Sequence, residues 1–293
     1  MKSENEIKLK GTKRLFLKLG SCSRTLGFIL NREFGHLKDP EERALDPLAG
    51  GIIQQGYQCG MLWGSSMALG AEAYRRTGNV DKATGLAIRA TQHVMNSFVT
   101  RTQSPDCYDI TQCDWSSKKS IARYFVTGKV VSCYKLAERW APEAVGAAYE
   151  GLALANNGLP EKCLSCASEA VKRMGGSDEE MAMVSGFAGG IGLSGNACGA
   201  LGAAIWMRTL FRCRQNPGKS FFANPEAKVV LEKFYKASDY EILCGDITGK
   251  RFSTIEEHTR FIEEGGCNEL IGALAGEPKG QGCRGEERAR AAG

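Results

Sequence analysis

The stretch Ala49-Gly50-Gly51-Ile52, followed by Gly56, Cys59-Gly60 and Leu62, returns in the same chain as Ala188-Gly189-Gly190-Ile191, followed by Gly195, Cys198-Gly199 and Leu201. Across the sixteen positions in register, eight are identical at an offset of 139. Self-similarity at a fixed offset marks a duplicated structural unit. Working outward, Cys107-Tyr108-Asp109-Ile110-Thr111 matches Cys244-Gly245-Asp246-Ile247-Thr248 at four of five positions, at an offset of 137. Cys133 pairs with Cys267, each with a leucine three residues on, Leu136 and Leu270. Ser21-Cys22 aligns with Ser165-Cys166, ahead of the acidic stretches 39–42 and 178–180.

Each half therefore carries four cysteines in one order: Cys22, Cys59, Cys107 and Cys133, then Cys166, Cys198, Cys244 and Cys267. The gaps are 37, 48 and 26 residues in the first half and 32, 46 and 23 in the second. Loop lengths have drifted while a scarce residue type has stayed, which packing alone does not require. With no secretory leader expected from the charged start, twelve cysteines point away from structural disulfides and toward metal, cluster or thiol-redox chemistry.

Helical signals dominate. Apolar residues at 83, 86–87, 90, 94–95 and 98 have helical spacing and predict a helix over 80–98. Further helices are expected over 142–156, opened by Pro142, and over 160–174, closed by Gly175-Gly176. Two more are expected over 225–236 and 254–264. Strand alternation is scarce. The expected fold is all-α: two tandem modules, each a small bundle of four to five helices, related by pseudo-twofold symmetry. The modules are placed at 1–157 and 158–275, with a Gly- and charge-rich, disordered tail at 276–293. Small residues follow Cys59 (Gly60, Gly64, Ser65, Ser66) and Cys198 (Gly199, Ala200, Gly202, Ala203), so the two segments could meet at the centre or admit a bulky group.

Hydrophobic residues at 43% and charged residues at 24% suit a soluble globular protein. The net charge of +5 is uneven: residues 1–32 carry +6 and the rest about −1. That excludes a globally basic nucleic-acid surface. It leaves a basic amphipathic N-terminal segment, with Leu15, Phe16, Leu19 and Leu26 on its apolar face, as a surface for docking. The stretch 186–207 is rich in Gly and Ala and broken by Ser194 and Asn196, so no transmembrane segment is expected and a cytoplasmic location is.

Gly190-Ile191-Gly192-Leu193-Ser194-Gly195 fits G-x-G-x-x-G, yet residues 210–220 hold no Asp or Glu to receive a ribose, and the first-half copy lacks the middle glycine. A glycine turn leading into a cysteine-bearing helix is the better reading. Cys163-Leu164-Ser165-Cys166 is a C-x-x-C at a helix start, where a thiolate is favoured; Cys163 has no first-half counterpart. Cys113, Cys213 and Cys283 lie outside the repeat, and His36, His93 and His258 have no aligned partners. Asp109 and Asp246, matched beside Cys107 and Cys244, read as helix caps.

These residues resemble the family of redox-active proteins named for a C…CGAxxG…C…C pattern. Cys198-Gly199-Ala200-Leu201-Gly202-Ala203 is similar to its signature with Ala203 in place of the last glycine. Cys59-Gly60-Met61-Leu62-Trp63-Gly64 keeps that glycine and has Met61 in place of the alanine. The resemblance spans roughly residues 20–140 and 160–275, and family members usually look like one module, so this chain resembles two fused. Similar cysteine segments occur in an iron–sulfur cytochrome of the split-Soret type, although no C-x-x-C-H haem motif is present here.

Three readings stay open. In the first, the eight cysteines ligate iron–sulfur clusters in an electron-transfer protein with a redox partner, since four thiolates per half is a cluster's ligand count. In the second, no metal is bound and Cys163/Cys166 exchange disulfides. In the third, each half holds structural Zn, against which the wide ligand spacing argues.

Overall fold

The computed structural model describes residues 11–153, 159–222 and 224–276. All of the predicted tail after Gly276, and residues 1–10 of the basic segment, lie outside the described residues. Within them the chain is all-α, with no strand among the described residues. The first half holds α1 (Thr12–Leu19), α2 (Cys22–Glu33), α3 (Asp39–Arg43), α4 (Gly60–Thr77), α5 (Val80–Thr102), α6 (Cys107–Thr111), α7 (Lys118–Val126) and α8 (Lys129–Ala153). The second holds α9 (Cys166–Arg173), α10 (Asp178–Ser185), α11 (Gly199–Gln215), α12 (Pro225–Ala237), α13 (Cys244–Thr248), α14 (Ile255–Glu263) and α15 (Asn268–Ala275).

Local chemistry sets most of the boundaries. Asn79 caps α5 by accepting from the Lys82 amide, and Ser177 with Glu180 forms a full capping box on α10. Two expected boundaries move. The helix predicted to begin at Pro142 begins at Lys129, and Pro142 lies inside α8. Proline removes one intrahelical bond there. The apolar face formed by Ala137, Trp140, Ala141, Ala144 and Ala148 is continuous across it, and its burial against α5 outweighs that loss. The helix predicted from Pro160 starts only at Cys166, where the Ser165 hydroxyl accepts from the Ser168 amide.

The packing is reciprocal. The central helix of the first half, α4, packs on α2 and α5 and also on α10 of the second half. The matching helix α11 packs on α9 and α12 and also on α3 of the first half. The small-residue segments do meet: the Trp63 indole of α4 lies where any side chain on Gly202 of α11 would sit, and it meets Phe187 edge-on at 4.9 Å. One hydrophobic core runs through both halves. Trp63, Trp140 and Trp206 are fully buried in it, and burial of side chains this size contributes about 2–3 kcal/mol each.

Candidate functional site

The repeat that opens the sequence is an unusual turn. Gly50 through Gln54 all have positive φ, as do Gly189 through Leu193. Ile52, Ile53 and Ile191 are β-branched residues in the left-handed region, where strain of about 1–3 kcal/mol per residue persists only if the surroundings impose it. Gly51 and Gly190 impose it. A Cβ on Gly190 would lie 2.5 Å from the Asn196 amide nitrogen, and one on Gly51 would overlap the Tyr57 backbone. The turn therefore folds back onto the segment leading to the second cysteine of each half.

A backbone clip then joins the second cysteine to the third. The Cys59 amide donates to the Pro105 carbonyl at 2.8 Å and the Cys107 amide to the Tyr57 carbonyl at 2.7 Å. In the second half, the Cys198 amide donates to Ile242 at 3.0 Å and the Cys244 amide to Asn196 at 2.6 Å. A single β-bridge accompanies each clip, Gln58 with Asp106 and Ala197 with Leu243. These contacts explain why a gap of nearly fifty residues is kept: both cysteines hang on one clip.

Three cysteines of each set stand at helix starts. Cys22 and Cys166 open α2 and α9, Cys59 and Cys198 precede α4 and α11, and Cys107 and Cys244 open α6 and α13. The positive ends of these helices favour thiolate. Cys133 lies in the first turns of α8, and Cys267, at φ 59, precedes α15.

In the first half the four cysteines line one cavity of about 320 Å³. Its walls are mainly apolar and include Phe16, Trp115, Tyr124, Phe125 and Phe222. Phe222 comes from the second half. Its loop is held by Asp46, which accepts from the Ser220 hydroxyl at 2.8 Å and the Phe221 amide at 3.4 Å. The same carboxylate accepts from Ser21, the residue capping the Cys22 helix, at 2.8 Å. Gly60 leaves the space that the Cys22 sulfur fills, 2.6 Å from where a Cβ would be. The Trp115 indole Nε1, buried at the cavity wall, is directed at the Cys107 thiol and favours its ionisation against the effect of burial.

The sulfurs of this set act on one another. The Cys59 thiol donates to Cys22, and together with the amides of Gly50, Ser23 and Cys22 it lowers the Cys22 pKa despite burial. Cys59 is pushed well up by that same bond and by burial. Burial and the charge of Cys22 raise Cys107. Burial raises Cys133 to about 11, with the Tyr124 hydroxyl, 3.2 Å from its sulfur, pulling the other way. Cys22 is thus the thiol of the group whose ionisation its neighbours favour.

The second set converges as well. Cys166, Cys198, Cys244 and Cys267 line one space with Ile247, Phe252, His258, Phe261 and Ile262, yet it amounts to about 10 Å³, room for about one water. Burial raises all four thiols, Cys267 to about 12. The two lids correspond at an offset of 137: Trp115 meets Tyr124 edge-on at 5.1 Å, and Phe252 meets Phe261 at 5.1 Å. Where the first lid has Ile121 the second has His258. Its Nδ1–H donates to the Leu164 carbonyl at 3.2 Å, and burial lowers its pKa to about 4, so the imidazole is neutral. His258 was missed in the sequence because the aligned residue is apolar. The recurrence of Trp115-Ser116-Ser117 as Phe252-Ser253-Thr254 was the signal that could have found both lids.

The other candidates lie apart. Cys163 does not share the space that Cys166 lines: its thiol contacts the Pro160 carbonyl at 3.5 Å, faces a separate cavity between the halves, and is raised by burial to about 11. Asp109 and Asp246 do not cap: α6 and α13 have no side-chain cap, and Asp109 accepts instead from Ser104 at 2.6 Å. Thr111 and Thr248 bond back to the Cys107 and Cys244 carbonyls, both at 2.7 Å. Cys113 and Cys213 are buried outside both sets, and Cys283 lies outside the described residues. Among the described residues no three His, Cys, Asp or Glu side chains are placed to hold one metal ion. No described helix is long and apolar enough to cross a membrane.

A family model described as "Putative redox-active protein (C_GCAxxG_C_C)" matches the chain twice, over residues 21–145 and 161–277. No curated protein and no solved structure matches it.

Proposed function

The chain belongs to the C_GCAxxG_C_C family of redox-active proteins, and from that premise we propose that the first-half cavity holds an iron–sulfur cluster and that the protein transfers electrons to a redox partner. The observation that carries this reading is the arrangement of Cys22, Cys59, Cys107 and Cys133 around a single apolar cavity of about 320 Å³. A zinc ion needs its sulfurs about 2.3 Å from one point, and no three described side chains are so placed. A cluster spreads its thiolates over several irons, which suits four sulfurs set around a larger space.

The fit differs between halves. The first site offers the four donors and the room. The second offers the same donors with room for about one water, because Phe252, Phe261 and His258 fill the space, and α14 would have to shift before it could hold a cluster.

A bound cluster would supply one-electron chemistry. The chain's own residues would set its environment. Three helix starts favour the thiolate forms. The amides of Gly50 and Ser23 donate to the Cys22 sulfur and Tyr124 to that of Cys133, and such bonds shift a cluster's potential. Phe16, Phe125 and Phe222 would give it an apolar wall.

A second reading is favoured by the hydrogen bond between Cys59 and Cys22. The Cys22 thiolate would attack a substrate disulfide and release one thiolate. Cys59, losing its proton to solvent, would then attack the Cys22 sulfur, close an internal disulfide and release the second thiolate. In this reading Cys22/Cys59 takes the place of Cys163/Cys166, whose sulfurs face different spaces.

Anaerobic purification followed by visible spectroscopy with iron and sulfide analysis separates the two. The cluster reading expects broad absorbance at roughly 400 nm that bleaches on reduction. Colour is lost in Cys107→Ser and kept in Cys244→Ser. Colourless protein with one titratable disulfide per chain supports the exchange reading, and colourless protein with stoichiometric zinc overturns both.

A further inference from the structure

The duplication supplies an internal control for the surface around the first cavity. Helices α7 and α14 are the lids of the two cysteine sites, and they correspond residue by residue. Their cavity-lining residues correspond, Ile121, Tyr124 and Phe125 against His258, Phe261 and Ile262. Their outer faces have opposite charge. Lid α7 carries Lys118, Lys119 and Arg123 with no acid, whereas α14 carries Glu256, Glu257 and Glu263 against Arg260. All three α7 cations are exposed and make no ion pair among the described residues. The same lid exposes large apolar side chains, Phe125 at 56% and Val126 at 87%, and Phe222 is exposed beside it at the cavity wall. In α14 the residue matching Val126 is Glu263. Beyond α8, few contacts hold α7 to the rest of the molecule.

We propose that this apolar patch, ringed by Lys118, Lys119 and Arg123 over the mouth of the first cysteine cavity, is the docking surface for a small acidic electron-carrier protein. The inference rests on the redox reading of that cavity. An apolar centre with a charged rim is the anatomy of a transient interface, and the rim charge acts chiefly by steering the encounter. A duplicated chain had two such lids available. The one over the open cavity is basic, and the one over the closed site would repel an acidic partner. An acidic carrier fits better than a membrane because the patch surrounds the mouth of a redox site, where a carrier's own centre must come close.

The test uses the full chain and a small acidic [2Fe–2S] ferredoxin as probe, with binding followed by calorimetry. Wild type is expected to bind at about 0.01 M ionic strength and to lose binding near 1 M, where the screening length falls from about 30 Å to about 3 Å. Lys118→Glu/Lys119→Glu/Arg123→Glu should weaken binding at low salt by at least about tenfold. Glu256→Gln/Glu257→Gln on the other lid should leave it unchanged. Zero-length carboxylate–amine cross-links should map to Lys118 and Lys119, which reads the surface in the unaltered chain. The proposal is overturned if wild type does not bind, if both variants weaken binding equally, or if the cross-links fall elsewhere. It is also overturned if wild type binds phosphatidylserine vesicles and the triple variant does not, which would make the patch a membrane surface. Binding is read whether or not a cluster is present, and the chain's own spectrum reads the cluster, so failure of either idea is distinguishable from failure of the other.

Discussion

The Tyr124 hydroxyl donates to the Cys133 sulfur at 3.2 Å, and the residue in the same place on the second lid is Phe261, which has no hydroxyl to give. Burial and the neighbouring sulfurs raise the Tyr124 pKa, so the phenol stays protonated and remains a donor. The two halves thus share a ring pair and differ in one hydrogen bond to sulfur. Tyr124→Phe should cost about 1 kcal/mol in denaturant unfolding. It should also move Cys133 alkylation to a pH above that set by its value of about 11. Cys267 alkylation should not move. An unchanged Cys133 profile would show that the bond does not persist in solution.

In metal-free protein Cys22 should be the first of the eight matched cysteines to be alkylated by iodoacetamide near neutral pH. It is the one described cysteine whose pKa is lowered, and thiolate is the reactive form. Cys59→Ala removes the donor and should slow Cys22 alkylation severalfold, read by peptide mass spectrometry. Faster labelling of Cys163 than of Cys22 would contradict the assignment.

Gly190→Ala should be more costly than Gly175→Ala. Both glycines have φ +82, but a Cβ at Gly175 meets open space, whereas one at Gly190 strikes the Asn196 backbone at 2.5 Å. Conformational strain alone predicts about 1 kcal/mol at Gly175. Strain with a backbone collision predicts at least about 2 kcal/mol at Gly190. Denaturant midpoints at equal slope are the measurement, and equal losses would mean the turn relaxes freely.

His258 gives the fold a pH dependence of definite sign. Its pKa falls from an ordinary 6.5 to about 4 in the folded chain because it is buried. Below pH 6.5 the unfolded chain takes up the proton first, so stability drops as pH falls from 6.5 toward 4. The full loss is about 3 kcal/mol. His258→Gln keeps a donor for the Leu164 carbonyl and removes the titration, so its melting temperature should fall less over that range. Parallel curves for the two proteins would rule His258 out as the source.

Much of this was legible in the chain. The four ordered cysteine pairs, the all-α composition and the glycine turn before Cys59 and Cys198 are local or repeated features, and repetition exposes them without any relative to compare. The lids were harder to see, because over 115–126 and 252–263 only Ser116/Ser253 and Arg123/Arg260 are identical while the ring positions changed from Trp115 and Tyr124 to Phe252 and Phe261. Pro142 misled because a proline reads locally as a helix start, and only the apolar face shared by the residues on either side shows the helix continuing through it.

The sequence by itself determined that the protein is one unit used twice, and which cysteines belong to that unit, because those facts are carried by residue identity and order. Tertiary structure alone decided that the two sets are unequal. Whether four sulfurs surround a cavity of about 320 Å³ or a space for one water depends on how Phe222 reaches in from the other half and how Phe252, Phe261 and His258 fill the gap. Close packing turns small differences in side-chain shape into the presence or absence of room. The separation of Cys163 from Cys166 is of the same kind: two residues between them set a spacing along the chain, but the start of α9 points their sulfurs into different spaces.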